Sequence, residues 1–429
     1  MSAVVVFIIF AICLVIAIPI SISLGIVAVL PGAFDTSFTA SAGYVIRSMV
    51  GGIDSFPLLA VPMFVLAGIL MAHGKISEKL FDVFVYFLGN KRAGIPCAVI
   101  ITCLFYGAIS GSAPATVAAV GSMTIPLLIE LGYEKDFSTA IVAVAGGLGV
   151  IIPPSIPFIM YAMATGESVS DLFLAGIVPG MMISALLIFY AYYYCRRHGE
   201  DREKIQAKMD QLKEKGFFNI LKESIWALLS PVIVLGCIYT GVASPTEAAV
   251  ISVFYSLFVS LFIYKSIKVK QIWGIMVEAM KTYAPILFIL ATSTAFSRVL
   301  TLMQVPQDVS AWIMAHFSNE IVLLLVINVV LLIVGMVMDT TPAILILSPI
   351  LLPIVQHVGM NTIHFGVMMI VNLAVGFVTP PVGVNLFVAS SLTNVPMMQI
   401  AKKAMPMIGY FLLALLLIAF IPAISLCLL

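Results

Sequence analysis

The sequence predicts an all-α integral membrane protein, and three observations predict it. Of 429 residues, 62% are hydrophobic and 10% charged, with mean hydropathy +1.18; soluble proteins carry roughly 45–50% and about 25%. Apolar runs of about 20 residues, enough to cross a bilayer, recur along the whole chain. Pro and Gly clusters interrupt several of these runs at matching places in two halves. Too few charges exist to cover a water-facing surface, which excludes a soluble enzyme and a disordered chain. The 21 basic and 20 acidic residues leave no basic field for nucleic acid.

In chain order, residues 3–30 form the first apolar run. It is longer than the roughly 7–15-residue core of a signal peptide, and no Arg or Lys precedes Arg47. It reads as one retained spanning helix. Further runs occupy 177–195, 225–240, 249–264, 321–338 and 407–429. Cys13, Cys97, Cys103, Cys195, Cys237 and Cys427 form no C-x-x-C pair and read as small membrane-buried hydrophobes. Residues 196–222 hold 8 of the 21 basic residues, so the positive-inside rule puts this loop in the cytoplasm. Two spans later the chain returns to basic residues, Lys265, Lys268 and Lys270, on the same side.

The loop divides two similar halves. Gly107 to Thr116 (GAISGSAPAT) matches Gly335 to Ile344 (GMVMDTTPAI). Pro114 pairs with Pro342 at an offset of 228; Pro126 with Pro353, Gly132 with Gly359, and Gly149 with Gly376 at 227. Both halves then read Gly-x-x-x-Pro-Pro. This register marks a duplicated unit. The predicted division is an N-terminal membrane segment (1–56), repeat 1 (57–195), the basic loop (196–223), a helix pair (224–271) and repeat 2 (272–429).

Each unsatisfied backbone polar group in lipid costs several kcal/mol, so the interruptions need a reason. The first kind is a polar turn, at 110–114 and at 338–342. Its flanks 95–108 and 116–131 are too short to span separately, which predicts a re-entrant helical hairpin. The second is a broken helix at 146–155 and at 376–383, where paired prolines remove N–H donors and disfavour helix before them. A single Gly or Pro would be only a kink or a close-packing position. The repeated set points to the midplane site of a secondary transporter, with freed carbonyls for a hard cation and helix N-termini for an anion.

The candidate cation ligands follow. In repeat 1 they are Ser110 and Ser112, with carbonyls near Gly149, Ile152 and Pro154. In repeat 2 they are Asp339 and Thr340 beside Gly335, and Thr379, with carbonyls near Gly376 and Val382. All are oxygen donors, and no His/Cys cluster occurs, so sodium, or a proton on Asp339, fits better than zinc, copper or iron–sulfur. An intramembrane carboxylate is a functional candidate by default; the alternative for Asp339 is a loop or cap residue. Arg298 could hold a carboxylate with its bidentate fork, or snorkel to the interface, or pair with an acid. Ser155, Thr341 and Pro381 complete the substrate candidates. Glu247 is either functional or a first-turn acid favoured by the helix dipole.

The segments around Ser110, Ser112 and Pro114, around Ile151 to Ser155, from Gly335 to Pro342 and from Thr379 to Gly383 resemble the large (DctM-type) membrane subunit of tripartite ATP-independent periplasmic (TRAP) transporters. The resemblance covers essentially the whole chain. It implies an ion-transporter-superfamily fold with inverted repeats, two re-entrant hairpins and two broken helices, divided into a scaffold and a mobile elevator domain. It also implies sodium symport of an organic acid across the bacterial inner membrane. The implied partners are a small membrane subunit, expected as a separate chain, and a periplasmic substrate-binding protein. A sialic acid-type substrate is expected, with C4-dicarboxylates or other organic acids as alternatives. An ion channel and an intramembrane hydrolase are the competing classes. For a hydrolase, Ser110 or Ser112 lacks a histidine base in a matching break and no H-E-x-x-H occurs, so no enzyme activity is expected.

Overall fold

The computed structural model describes every residue except 1, 36, 37, 215, 317 and 318; residue 215 of the basic loop therefore lies outside the description. All described secondary structure is helical. The first helices are α1 (Ala3–Val15), α2 (Ile20–Phe34), α3 (Ala42–Ile53), α4 (Ala60–His73) and α5 (Ile76–Leu88). The single helix expected over 3–30 is thus two. Ala17 has a positive φ of 63°, and Pro19 supplies no N–H at the start of α2, so the backbone turns instead of continuing.

Next come α6 (Gly94–Ser110), α7 (Ala113–Glu130), α8 (Lys135–Ala145), a 3-10 segment (Gly146–Val150), α9 (Ile156–Thr165) and the long α10 (Val169–His198). The basic loop is not only a connector: it contains α11 (Arg202–Glu214), whose Ile205, Met209 and Leu212 are buried. The helix pair is α12 (Phe217–Tyr239) and α13 (Pro245–Phe258). The second half comprises α14 (Val269–Leu302), α15 (Val305–His316), α16 (Glu320–Val337), α17 (Thr340–His357), α18 (Thr362–Gly376), α19 (Val384–Thr393), α20 (Met397–Phe420) and the short α21 (Ala423–Leu426). Nine helices among the described residues are long and apolar enough to cross a membrane.

Polar side chains close the helix ends, where backbone N–H groups lack partners. Ser41, Ser168, Asn319 and Asn361 accept N–H groups at the starts of α3, α10, α16 and α18. Glu247 belongs to such a cap. Its carboxylate accepts from the Ser244 backbone and hydroxyl, both at 2.8 Å, completing a capping box on α13.

The centre of the molecule is α8, the 3-10 segment and α18: residues 137–150 and 364–376 are all buried. Around it pack α7, α16, α19 and α20, while α14 packs on α2, α3, α4 and α17. The double-proline breaks therefore emerge from the most enclosed part of the chain.

Candidate functional site

In repeat 1, α6 ends at Ser110 and α7 begins at Ala113, leaving a two-residue turn. Ser110 Oγ lies 2.9 Å from Thr116 Oγ1, and Thr116 Oγ1 donates to the Ser112 carbonyl at 2.8 Å. Three oxygens thus face one another over the turn. The chain beyond Pro154 returns to it, with Ile156 N–H donating to the Gly111 carbonyl at 3.3 Å. Gly107 and Gly149 allow this approach: a Cβ on Gly107 would lie 2.7 Å from Gly149 Cα, and one on Gly149 would lie 2.5 Å from Thr116 Oγ1 and 2.7 Å from the Ser112 carbonyl. No side chain fits either position. Ser110, Ser112 and Gly149 therefore lie together.

Pro154 joins them: its carbonyl would be 2.9 Å from a Cβ on Gly111. Ile152 is set by its own N–H, which donates back to the Leu148 carbonyl at 3.0 Å. Ser155 is fully buried, and its hydroxyl is committed to the Val150 carbonyl at 2.6 Å, inside the break. Thr116 was missed as a ligand candidate. It lies four residues after Ser112, so helix periodicity from the turn could have found it.

Repeat 2 meets itself in the corresponding place. A Cβ on Gly376 would lie 2.3 Å from the Gly335 carbonyl carbon. Val382 N–H donates to the Met336 carbonyl at 3.3 Å, so the second break touches the end of α16. Asp339 is the N-cap of α17, its Oδ1 accepting from Thr340 N–H at 2.6 Å and Thr340 Oγ1 at 3.2 Å. Thr340 and Thr341 are buried. Thr379 Oγ1 donates to the Val375 carbonyl at 2.8 Å, which leaves its oxygen lone pairs available. Pro381 follows Pro380 through a cis peptide bond, as Pro154 follows Pro153.

Two cavities carry polar side chains, and one of them reaches the Ser110–Ser112 turn. One, of about 440 Å³, is walled by α4, α14, the Ser110–Ser112 turn and Ile156. The other, of about 520 Å³, is walled by α3, the α9–α10 connection, α14 and α17, and carries Arg298, Thr294, Ser297 and Glu167. Arg298 is exposed there, apart from the Ser110 turn and from Asp339, neither of which lines that cavity. No group of three or more His, Cys, Asp or Glu side chains with metal-binding geometry occurs among the described residues. The site can offer hydroxyl, carbonyl and carboxylate oxygen.

Comparison with known proteins agrees with this architecture. The family model described as "Tripartite ATP-independent periplasmic transporter, DctM component" matches residues 7–424. An isethionate TRAP transporter permease protein, DctMQ, of Oleidesulfovibrio alaskensis is 43% identical over 97% of the chain; the chain spans 64% of that protein's length. A C4-dicarboxylate TRAP transporter large permease protein of Pseudomonas aeruginosa is 39% identical over 87% of the chain and 86% of its own. The solved structure of Neisseria gonorrhoeae MtrF, described with a class of antimetabolite efflux pumps, superposes with a TM-score of 0.64 at 14% identity, covering 93% of both chains. That likeness is one of fold.

Proposed function

The chain belongs to the DctM component family of tripartite ATP-independent periplasmic transporters, and on that premise we propose that it is the large subunit of a sodium-coupled importer of a small organic anion. It is a multi-pass protein of the bacterial inner membrane. In this reading α6–α7 and α16–α17 are re-entrant hairpins of inverted repeats. They move with the broken helices as an elevator domain against a scaffold that includes α1–α3, α12 and α13. The partners are a small membrane subunit and a periplasmic binding protein.

One observation carries the proposal. Each repeat brings a polar turn against a double-proline break through a glycine pair, Gly107 with Gly149 and Gly335 with Gly376. In repeat 1 such packing holds irregular backbone, with its carbonyls, inside the protein, where it is tolerated at membrane depth; in repeat 2 the break is buried up to Val378, and Pro381 and Val382 are exposed. Hydroxyl and carbonyl oxygens of Ser110, Ser112, Thr116, Gly149, Ile152 and Pro154 would hold one sodium ion. Those of Gly335, Thr340, Gly376, Thr379 and Val382, with the Asp339 carboxylate, would hold another. Ser155, Thr341 and Pro381 stand beside these turns as substrate candidates, and Arg298 in its own cavity is a second place for the anion.

Two sodium ions entering with one monoanion carry net charge +1, and the membrane potential then contributes about 2.3 kcal/mol per 100 mV. Each tenfold sodium gradient adds about 1.4 kcal/mol per ion. The relatives described above are named for isethionate and C4-dicarboxylates; sialic acid finds no support in those names, so the substrate class proposed is a small organic acid or sulfonate. The test is uptake into proteoliposomes holding the purified partners, with a panel of radiolabelled acids. One of them should accumulate under a sodium gradient and show saturable counterflow. Full uptake driven by a proton gradient alone would refute sodium coupling, and single-channel conductance would favour a channel.

A further inference from the structure

The cavity that reaches Ser110 and Ser112 has one carboxylate in its wall, that of Glu278 on α14. Most of the remaining wall is aliphatic, with hydroxyls from Tyr106, Thr282 and the two serines. Glu278 is held in place: its Oε2 lies 2.9 Å from His73 Nε2 on α4. Glu278 also lines a neighbouring cavity with His73, Ser266 and Gln271, at the end of the molecule that carries Lys265, Lys268 and Lys270. It therefore stands between the water on the basic-loop side and the Ser110 turn. Lys281, on the next turn of α14, lines neither cavity.

A carboxylate beside low-dielectric walls focuses its field into the space they enclose. The side chain is 54% exposed, so its effect is that of a wet charge: at about 7 Å in water it changes the local concentration of a monovalent ion roughly threefold. It raises cations and lowers anions by that factor. We propose that Glu278 makes this cavity a cation-selecting vestibule, through which the ion held at the Ser110–Ser112 turn exchanges with water on the basic-loop side. This rests on the sodium-coupled reading above and adds the route and the residue that selects along it.

The experiment has two arms. In the first, Ala115, which lines the same cavity, is replaced by Cys in a chain whose exposed Cys427 is Ser. The purified protein in nanodiscs is labelled with a positively and a negatively charged methanethiosulfonate. The ratio of the two rates should fall on the order of tenfold in Glu278→Gln and further in Glu278→Lys. It should be kept in Glu278→Asp, and high salt should compress the differences. In the second arm, the sodium concentration on the basic-loop side that half-inhibits uptake should rise roughly threefold in Glu278→Gln.

Equal labelling ratios in the Glu278, Gln and Lys proteins would overturn the vestibule. A changed ratio with unchanged sodium inhibition would overturn the route. Wild-type uptake indifferent to sodium would remove the sodium-coupled reading and the route with it, while the labelling arm would still report the field of Glu278.

Discussion

The side-chain amide of Asn385 donates to the backbone carbonyl of Ala143 at 3.0 Å. Asn385 lies at the start of α19, just beyond the second double-proline break, and its own N–H donates to the Phe377 carbonyl at 3.0 Å. Ala143 lies near the end of α8, just before the first break. One fully buried residue thus joins the two irregular segments at the centre of the molecule.

That tie should be visible in stability. Asn385→Leu would leave the Ala143 carbonyl buried without its donor, which costs about 1–3 kcal/mol. Asn385→Asp keeps the shape but removes the donor, so both variants should melt below wild type in detergent. Thermal unfolding that matches wild type in both would deny the tie any energetic role.

The glycine pairs predict a sharp contrast between positions. Gly107→Ala, Gly149→Ala and Gly376→Ala would each push a methyl group to 2.7 Å or less from facing atoms. Overpacking of this kind costs about 1–3 kcal/mol, and transport should fall with the displaced turn. Gly236→Ala and Gly409→Ala, on α12 and α20, have nothing within 4 Å of the new methyl. They should be neutral or stabilising by up to about 1 kcal/mol. Melting curves and uptake rates for the five variants check both halves of this statement.

Much of this was legible in the sequence. The polar turns, the double prolines and the offset of 227–228 located both meeting points, because Pro and Gly act locally and apolar flanks show where they sit. The split of 3–30 was legible only in part: Pro19 is a break signal, but hydropathy does not report the positive φ of Ala17. Helix α11 was hidden by its charge: a helix lying with only Ile205, Met209 and Leu212 buried looks like a loop when spans are sought by mean hydropathy. Asn385 escaped because its partner, Ala143, is set by tertiary packing; Thr116, four residues after Ser112, was within reach of helix periodicity. Glu278 escaped because its place in a cavity wall depends on how α14 stands against α4 and the turn.

Asp339 combines a cap with a proposed ligand, and two substitutions separate them. Asp339→Asn keeps a capping oxygen, since Asn ranks with Asp as an N-cap; the protein should stay folded and lose sodium-dependent uptake. Asp339→Ala should lose uptake and also about 1 kcal/mol of stability. Sodium dependence like wild type in Asp339→Asn would remove the carboxylate from the site.

The connection between α7 and α8 supplies a pH dependence. The Lys403 ammonium, followed by the Tyr194 hydroxyl, holds the Glu134 carboxyl below its ordinary 4.5. A depressed carboxylate contributes stability above its unfolded value, and that contribution is lost as pH falls through the lower folded value. Wild type should therefore lose stability below about pH 4.5 more steeply than Glu134→Gln, and the two should differ by a nearly constant amount between pH 6 and 8. The group is partly exposed, so the effect is small. Melting temperatures of both proteins across this range would test it; parallel curves through the acid limb would contradict it.

The most direct measurement is the sodium dependence of uptake at fixed membrane potential in proteoliposomes that contain the chain and its two partners. If each repeat holds one ion between its turn and its break, the rate should rise with a Hill coefficient approaching 2. Replacing Ser110 and Ser112 together by Ala should abolish the coupled rise. A hyperbolic dependence on sodium in wild type, or none, would contradict the account.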